Sequence, residues 1–373
     1  MTKGRAVVMK GRNEPFEIEE YVVPDPGPGE IILKITQAGI CGSDLHIWRG
    51  DMAMVLPPEG RVMGHEGSGT VYRLGEGVAS DSLGKPLREG DRVVYAAIWP
   101  CNRCYHCLRG EQNWCPHWRQ SLPAGTWPFF TGTYADFFYL PANHPVFAVS
   151  DELPDSVLGF VNCAMGTVAE GLMRAGCQEG DYVVIQGAGG LGLNATAMAK
   201  DMGAHKVIVL DRIQGRLTLA REFGADETLN VDEFDTPERR LQRVRELTDG
   251  RGANIVMELV GRAELLAEGI TYLARGGTFV EIGDIVRGHS VAIDPSELLH
   301  GKKIIGSMLY RPMLLPVVLD MLGRNQGRVP YDKIVSNVFP LEQVNEAFAT
   351  AEWNERQTDV TRAMLVPSLA AVE

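Results

Sequence analysis

The chain has 373 residues, of which 45% are hydrophobic and 23% charged, and it carries 36 basic against 48 acidic side chains. This composition is typical of a folded protein and excludes a largely disordered chain or a single small module. The length predicts two domains, each large enough to bury its own core. The net charge of −12 argues against a polyanionic partner, so we expect no nucleic acid among its ligands.

The sequence also predicts where the protein works. It contains no run of about 18 uninterrupted apolar residues, and its first residues reach a run of acids before the apolar region of a leader could form. We therefore expect no membrane partner and a cytoplasmic location. Four of the seven cysteines fall within fifteen positions. In such a compartment this crowding favours metal ligation over disulfides.

The secondary structure predicted in chain order changes character near the middle. About 150 N-terminal residues combine short β-branched runs with Gly- and Pro-rich turns, which indicates β structure. From about Asp181, strands predicted at 182–186, 206–210, 227–229, 254–258, 278–282 and 303–307 alternate with helices at 191–200, 215–223, 237–247 and 263–273. This alternation is typical of a parallel sheet covered on both faces. Beyond residue 309 we expect helices at 314–322 and 343–352 and a last strand at 362–366, in a segment that returns to the first domain.

A glycine-rich turn follows the first strand of the alternating region. Residues 187–192 read GAGGLG, in which Gly187 allows a tight turn, Gly189 and Gly190 let the backbone approach a pyrophosphate, and Gly192 lets helix and strand pack closely. Asp211 ends the next strand, where a carboxylate can accept hydrogen bonds from ribose hydroxyls and repel a 2′-phosphate. The pattern predicts a dinucleotide site that prefers NAD. Arg212 and Arg216 leave NADP as the alternative, because an arginine beside the acid can accommodate a 2′-phosphate.

A second motif is a cysteine-rich lobe. Its four thiols have C-x2-C-x2-C-x7-C spacing and can close around one Zn²⁺ as a tetrahedron with no open position, which is a structural site. An iron–sulfur cluster is the rival, although the spacing of the fourth cysteine only half matches that class. A zinc ribbon that binds nucleic acid fits poorly with the acidic chain. The lobe consists of Cys101, Cys104, Cys107 and Cys115.

Three dispersed residues make a different set of metal ligands. Cys41, His65 and Cys163 each have an ordinary explanation when taken singly, as a buried thiol or a core histidine. Together they offer two thiolates and an imidazole, which leave a fourth zinc position open for water or substrate, as catalytic sites require. The set predicts a catalytic zinc.

The motifs occur in one order that is recognisable. GICGSDLHIWRG, GHEGSGTV, the cysteine-rich lobe, NCAMGTV, GAGGLG and the closing Asp211 together resemble the zinc-dependent medium-chain alcohol dehydrogenase family, over about residues 5–366. The resemblance implies an α/β fold: a GroES-like β-rich catalytic domain at 1–164, to which 309–373 return, and a doubly wound Rossmann domain at 165–308. It also implies a homodimer or homotetramer, with strands near 291–293 and 303–307 at the interface.

The resemblance assigns roles to individual residues. Cys41, His65 and Cys163 match the family's catalytic zinc ligands, and Glu66 matches a carboxylate that can approach the metal. Asp44 matches the acid that orients the zinc-binding imidazole. The remaining matches concern proton transfer and cofactor binding. Ser43 and His46 match a proton relay, Thr167 and Leu191 match positions that press on the nicotinamide, and Arg362 matches a pyrophosphate-binding arginine.

The predicted function is reversible, zinc-dependent hydride transfer between NAD and a bulky secondary alcohol or its ketone. Two residues depart from some branches of the family. Gly42 stands where some members have a basic residue, so one phosphate contact is missing. Cys163 stands where the polyol and threonine dehydrogenase branch has a carboxylate, which argues against that branch. That branch, an NADP-preferring ketone reductase, a zinc-free reductase of the same superfamily and a non-catalytic scaffold are the alternatives. The longer segment at 80–91 has no assigned role.

Overall fold

The structure, a computed structural model, describes residues 1–52, 54–120, 122–123, 125–352 and 359–369. Within these ranges no helix is long and apolar enough to cross a membrane. The fold is α/β, with a β-rich part at the N-terminus and a parallel sheet in the middle of the chain. The predicted fold class is therefore confirmed.

The N-terminal part is built on two mainly antiparallel sheets. A three-stranded sheet has the order β2-β1-β4. A larger sheet, which includes the C-terminal strands β15 (Asn337–Pro340) and β16 (Ala363–Val366), has the order β15-β16-β3-β5-β6-β8, with β7 also paired to β3; its only parallel pair among the described residues is β15 with β16. Apolar side chains of β3, β5 and β6 point into one core, which explains why these short runs form strands. The elements are β1 (Lys3–Met9), β2 (Glu17–Val22), β3 (Ile31–Gly39), α1 (Gly42–Arg49), β4 (Arg61–Val62), β5 (Ser68–Leu74), β6 (Arg92–Tyr95), α2 (Tyr105–Leu108), β7 (Phe137–Leu140) and β8 (Val146–Ala148).

The central sheet is parallel and has the order β11-β10-β9-β12-β13-β14. In this doubly wound order the chain direction across the sheet reverses between β9 and β12, and ligands bind at the carboxyl ends of the strands beside that point. The elements are α3 (Gly166–Ala175), β9 (Tyr182–Gln186), α4 (Gly190–Asp201), β10 (Lys206–Asp211), α5 (Gln214–Glu222), β11 (Glu227–Asn230), α6 (Pro237–Leu247), β12 (Ala253–Glu258), α7 (Ala263–Tyr272), β13 (Leu273–Glu281) and β14 (Lys303–Gly306).

The C-terminal segment lies against the N-terminal part. The last strand pairs antiparallel with β3, with Met364 opposite Gly39 and Leu365 opposite Ala38. Because β16 begins at Ala363, this pairing places the preceding residue, Arg362, next to the start of α1. The elements are α8 (Leu314–Arg324), β15 (Asn337–Pro340), α9 (Val344–Ala351) and β16 (Ala363–Val366).

One predicted strand is absent from the described residues, and the long segment at 80–91, which had no assigned role, has a defined structure. The strand expected near 291–293 does not form, because these residues have no ladder partner among the described residues. The segment at 80–91 is a closed loop, because the buried Asp81 carboxylate accepts backbone N–H bonds from Leu83 at 2.8 Å, Lys85 at 3.0 Å and Ala148 at 3.0 Å. The loop is therefore fixed to β8, and nothing in its contacts suggests a ligand.

Candidate active site

The first cluster of candidate metal ligands is built around the N-terminus of α1. Cys41 is the residue that precedes this helix, and Asp44 lies in its first turn, where a carboxylate is favoured by the helix dipole. Asp44 is buried and accepts hydrogen bonds from the Cys41 backbone N–H at 3.0 Å and from the Tyr134 hydroxyl at 2.7 Å. Its other oxygen lies 3.2 Å from Nδ1 of His65. Asp44 thus fixes the backbone of one candidate ligand and the ring of another, leaving Nε2 of His65 for a metal.

Cys163 reaches the cluster from a π-helical turn at Val161–Met165 that leads into α3. Such turns are frequent at functional sites, because they widen the helix and redirect one side chain. The neighbouring Asn162 fixes the turn to the GHE segment: its amide donates to the His65 carbonyl at 3.0 Å and accepts from the Gly67 N–H at 2.9 Å. The Tyr310 hydroxyl donates to the Asn162 carbonyl and accepts from the Ala97 N–H.

The four side chains converge. One ligand atom from each of Cys41, His65, Glu66 and Cys163 lies within 4.8 Å of all the others. Glu66 is fully buried, and its Oε1 has no hydrogen-bond partner among the described residues, which is costly for a carboxylate unless a cation is bound nearby. Two thiols, an imidazole and an unpartnered carboxylate oxygen fit a zinc ion with one exchangeable position.

The electrostatics of the cluster differ from one candidate ligand to the next. A hydrogen bond from the Cys163 thiol lowers the pKa of Cys41 well below its ordinary value, and the same bond raises the pKa of Cys163. Burial opposes a charge on His65, but the Asp44 carboxylate and the Cys41 sulfur together outweigh it and raise the pKa of the imidazole. Burial also raises the pKa of Glu66 to about 8, although Arg362 opposes this shift. A divalent cation would favour the thiolate form of both cysteines, which reinforces the shift of Cys41 and opposes that of Cys163.

Arg362 connects this cluster to the glycine-rich loop. Its Nη1 donates to Glu66 at 2.8 Å and to the Ile40 carbonyl at 3.2 Å, and the side chain is buried. A Cβ built on Gly190 would lie 3.2 Å from Nη2 of the same guanidinium. The pairing with Glu66 is a contact that the sequence did not reveal, whereas the position beside Gly190 fits the predicted role near a pyrophosphate.

The glycine-rich loop has the geometry that its sequence predicted. Gly187 has φ +105°, and a Cβ on Gly192 would lie 1.9 Å from the Gly187 carbonyl oxygen, so both positions require glycine. Asp211 ends β10 and accepts backbone N–H bonds from Ala188 at 2.7 Å and from Ile213 at 2.9 Å. The carboxylate is therefore held at the mouth of the loop.

Two arginines lie close to this carboxylate but differ in their contacts. Arg212 is exposed and lies 3.7 Å from Asp232. Arg216 is half-buried; it donates to the Val360 carbonyl, and its Nη1 lies 3.7 Å from a Cβ built on Gly189. Burial lowers the pKa of Arg216, while Asp211 opposes the shift. Arg216 thus faces the loop more closely than Arg212 does.

The remaining predicted residues lie on the helices around the cluster. Ser43 and His46 are three positions apart on α1, so their side chains share one face of the helix. The His46 ring contacts Asp51 and Arg49, each at 2.9 Å from Nδ1. Thr167 is buried in the first turn of α3, and Leu191 is partly buried in the first turn of α4.

The cysteine-rich lobe forms a second cluster. Its four sulfur atoms lie within 4.8 Å of one another, and Cys101 Sγ is 3.5 Å from Cys115 Sγ. The Arg103 backbone N–H lowers the pKa of Cys101 to about 6, whereas burial raises that of Cys107 to about 12. Four sulfur donors and no carboxylate fit a closed tetrahedral zinc site.

Comparison with known proteins agrees with this geometry. Residues 27–151 match the model of the alcohol dehydrogenase GroES-like domain, and residues 190–324 match that of the zinc-binding dehydrogenase. The 5-exo-hydroxycamphor dehydrogenase of Pseudomonas putida is 33% identical over 93% of this chain and 95% of its own. The erythritol/L-threitol dehydrogenase of Mycolicibacterium smegmatis is 32% identical over 91% and 92%. The crystal structure of an alcohol dehydrogenase from Thermotoga maritima superposes with a TM-score of 0.91 at 30% identity, covering 98% of this chain and 100% of that one.

The chain therefore belongs to the zinc-dependent medium-chain alcohol dehydrogenase family. Membership implies an oxidoreductase that uses zinc and a nicotinamide cofactor on a small-molecule alcohol or polyol. Sequence reasoning found the ligand sets but missed Tyr134, Asn162 and Tyr310, which hold them in place. These three residues carry no motif, and only an expectation that every buried polar group needs a partner could have pointed to them.

Proposed function

We propose that the protein is an NAD-linked zinc alcohol dehydrogenase that interconverts a secondary alcohol and its ketone. The observation that carries this proposal is the position of Arg362, which contacts Glu66 in the first cluster and lies beside Gly190 in the dinucleotide loop. One arginine thus joins the candidate metal site to the candidate dinucleotide site, as a dehydrogenase that brings its metal and its cofactor to one substrate requires. We further propose that residues 1–164 with 309–373 form one domain and residues 165–308 the other.

Two zinc ions per chain are part of the proposal, one in each cluster. When bound, the catalytic zinc polarises the substrate oxygen and the nicotinamide accepts the hydride. The protein's own contribution is orientation: Asp44 holds the imidazole of His65, and the π-helical turn directs Cys163 inward. Glu66 Oε1, which has no partner among the described residues, is available to assist ligand exchange.

Ser43 and His46 are proposed as the proton relay. Ser43 would accept the proton of the substrate hydroxyl while it releases its own hydroxyl proton into the relay. His46, one turn further along α1 and partly exposed, would deliver that proton to solvent. The Asp51 and Arg49 side chains hold the His46 ring at the end of the helix.

NAD is the proposed cofactor because the Asp211 carboxylate lies at the mouth of the loop and would repel a 2′-phosphate. NADP is the alternative, and Arg216 is the residue that would favour it, since its guanidinium faces Gly189. Thr167 and Leu191 are proposed to contact the nicotinamide, and Arg362 the pyrophosphate.

The proposed substrate is a bulky, mostly apolar secondary alcohol. Trp48 and Met52, which follow the candidate ligands on and just after α1, are partly buried against the core. The similarity to a hydroxycamphor dehydrogenase is consistent with such a substrate. A polyol is the second candidate, because an erythritol/L-threitol dehydrogenase is almost equally similar.

A homodimer or homotetramer is also proposed. The edge strand β14 has one neighbour in the sheet, and Leu299, Ile304 and Met308 beside it expose 80%, 37% and 57% of their surface. Light scattering of the purified protein measures the oligomeric state directly. The reduced thiols that zinc requires are consistent with a cytoplasmic location.

Elemental analysis combined with kinetics tests the function. We expect about two zinc ions per chain, reduction of NAD in preference to NADP, and faster turnover of 5-exo-hydroxycamphor than of erythritol. The variant Cys107→Ser should retain about one zinc and the candidate active site, whereas Cys177→Ser, outside both clusters, should retain both. Absence of zinc in the wild type, or of dinucleotide-dependent turnover with any secondary alcohol or polyol, contradicts the proposal.

A further inference from the structure

Two acidic residues outside the candidate active site end adjacent strands of the central sheet. Glu258 ends β12, Glu281 ends β13, and the two are register partners in the parallel ladder. Register partners project to the same side of a sheet, so these carboxyl groups face each other. Glu258 is 0% exposed, and the Glu281 carboxyl lies within hydrogen-bonding reach of it. Two carboxylates cannot both stay ionised at such a distance in a buried site, so one proton is shared between them.

The contacts of Glu258 indicate which oxygen carries the proton. Oε1 accepts the backbone N–H groups of Val260 at 2.7 Å and Gly261 at 2.8 Å. Oε2 is buried and receives no N–H or O–H from the described residues, so its available partner is the Glu281 carboxyl. A proton on Oε2 would be donated to Glu281, whose Oε1 accepts the Asp284 N–H at 3.1 Å. Burial raises the pKa of Glu258 to about 8, in agreement with this assignment.

The pair connects two loops, of which the first packs on the dinucleotide loop. Glu258 holds residues 259–261, and a Cβ on Gly283, in the loop after β13, would lie 2.3 Å from its Oε2. The first of these loops packs on the glycine-rich turn, because a Cβ on Gly187 would lie 2.9 Å from the Val260 side chain. Both loops follow the carboxyl ends of their strands, which is where this sheet order binds ligands.

We infer that Glu258 and Glu281 are a proton-sharing positioning pair, which ties the loop after β13 to the loop after β12, holds the latter against the dinucleotide loop, and loosens both when its proton is lost. The inference rests on the proposed dinucleotide binding. Ionisation of the pair places two like charges side by side in a buried site, and the loops that they hold must separate to admit water. Dinucleotide affinity therefore falls as the pair ionises.

The charged groups around the pair do not cancel the repulsion between its two carboxylates. Asp284 and His289 contact each other at 2.9 Å in the loop after β13, and Asp284 adds a third negative charge. Further out, Arg262 is paired with Glu264 at the start of α7, and on α3, which packs against β13, Glu170 is paired with Arg311. On β9 the neighbouring side chain is Gln186, which is neutral.

The test compares the wild type with Glu258→Gln. The amide of this variant reproduces the protonated acid, because its oxygen can accept from residues 260 and 261 and its NH2 can donate to Glu281. We expect the Kd for NADH, followed by nicotinamide fluorescence, to rise several-fold between about pH 7 and pH 9 in the zinc-loaded wild type and to stay nearly constant in the variant. The Kd of Glu281→Gln for NADH should also stay constant over this pH range. The Kd of Glu264→Gln, an exposed control, should rise with pH as it does in the wild type.

Thermal unfolding gives a second measurement that does not depend on the cofactor. A carboxyl whose pKa is higher in the folded state stabilises the fold at low pH and loses that contribution as pH rises through the folded value, here about 8. The wild type should therefore lose Tm relative to Glu258→Gln between pH 5 and pH 8. Parallel Kd or Tm profiles in the two proteins overturn the inference alone. A wild type that binds neither NAD(H) nor NADP(H) overturns the proposed function as well.

Discussion

The substitution Gly192→Ala tests whether close contact between the glycine-rich turn and α4 fixes the dinucleotide site. The added Cβ would lie 1.9 Å from the Gly187 carbonyl oxygen, whereas real Cβ contacts are essentially never shorter than 3.0 Å. The turn and the helix must therefore move apart by about 1 Å, and overpacking of this kind costs about 1–3 kcal/mol. A displacement of that size at a positioned site can reduce turnover by about 10²-fold.

Gly323 is a matched control for this substitution. It also lies inside a helix, α8, and a Cβ built on it would meet nothing within 4 Å. Both substitutions gain the same helix propensity, so the difference between them isolates the steric effect. Gly323→Ala should stabilise the protein by about 0.4–1 kcal/mol without changing NAD affinity. Differential scanning calorimetry and NAD titration of both variants measure the two effects. A Gly192→Ala protein that matches Gly323→Ala in Tm and in NAD affinity would refute the reasoning.

Two further predictions concern buried polar side chains. Tyr134→Phe removes the hydroxyl that donates to the Asp44 carboxylate at 2.7 Å, and should cost about 1.5–3 kcal/mol of stability and weaken zinc retention against a chelator. Tyr331→Phe removes a buried hydroxyl with no partner among the described residues and should change neither stability nor zinc retention. Equal losses of stability and of zinc in the two variants would contradict the role given to the Tyr134 hydroxyl. His144 is buried, its Nε2 lies 2.8 Å from the Ala96 carbonyl oxygen, and burial lowers its pKa to about 4. Because this pKa is depressed on folding, the stability it contributes is present above about pH 6.5 and is lost as pH falls through about 4. His144→Gln should reduce that acid-induced loss by about 3 kcal/mol, measured as Tm against pH, and an unchanged profile would contradict it.

The sequence predicted the central sheet well, because the patterns that mark its strands and those that mark its helices are both local. The predicted strand at 182–186 matches β9 (Tyr182–Gln186) and the helix at 237–247 matches α6 (Pro237–Leu247), with the other elements of this region shifted at their ends by a few residues. In such a sheet each strand is a short apolar run and each helix has its own start and stop residues. The expected strand at 291–293 failed for the opposite reason. Its three residues form a short apolar run such as a strand can have, but a strand needs a partner that the described chain does not supply.

The candidate site was predicted as far as its donor atoms and, through the family resemblance, Asp44, which lies 3.2 Å from Nδ1 of His65. Thiols and imidazoles are rare enough for their type to suggest a metal, so Cys41, His65 and Cys163 could be grouped without knowing their distances. The groups that hold them are ordinary polar residues distant in sequence: Tyr134 lies 90 positions from Asp44, and Arg362 lies 296 positions from Glu66. Such pairs have no local pattern, and only the folded backbone brings them together.

The position of Arg362 has a consequence for how the protein is made. The guanidinium that joins the metal-binding cluster to the dinucleotide loop belongs to a residue synthesised 296 positions after its partner Glu66. At translation speeds of about 5–20 residues per second, Glu66 waits roughly 15–60 s for this partner. Until Arg362 arrives, burial of Glu66 in this cluster leaves its carboxylate without the counter-ion that it has in the complete fold. Early capture of zinc would then act as a temporary substitute for the arginine, so metal supply during translation should affect the yield of folded protein.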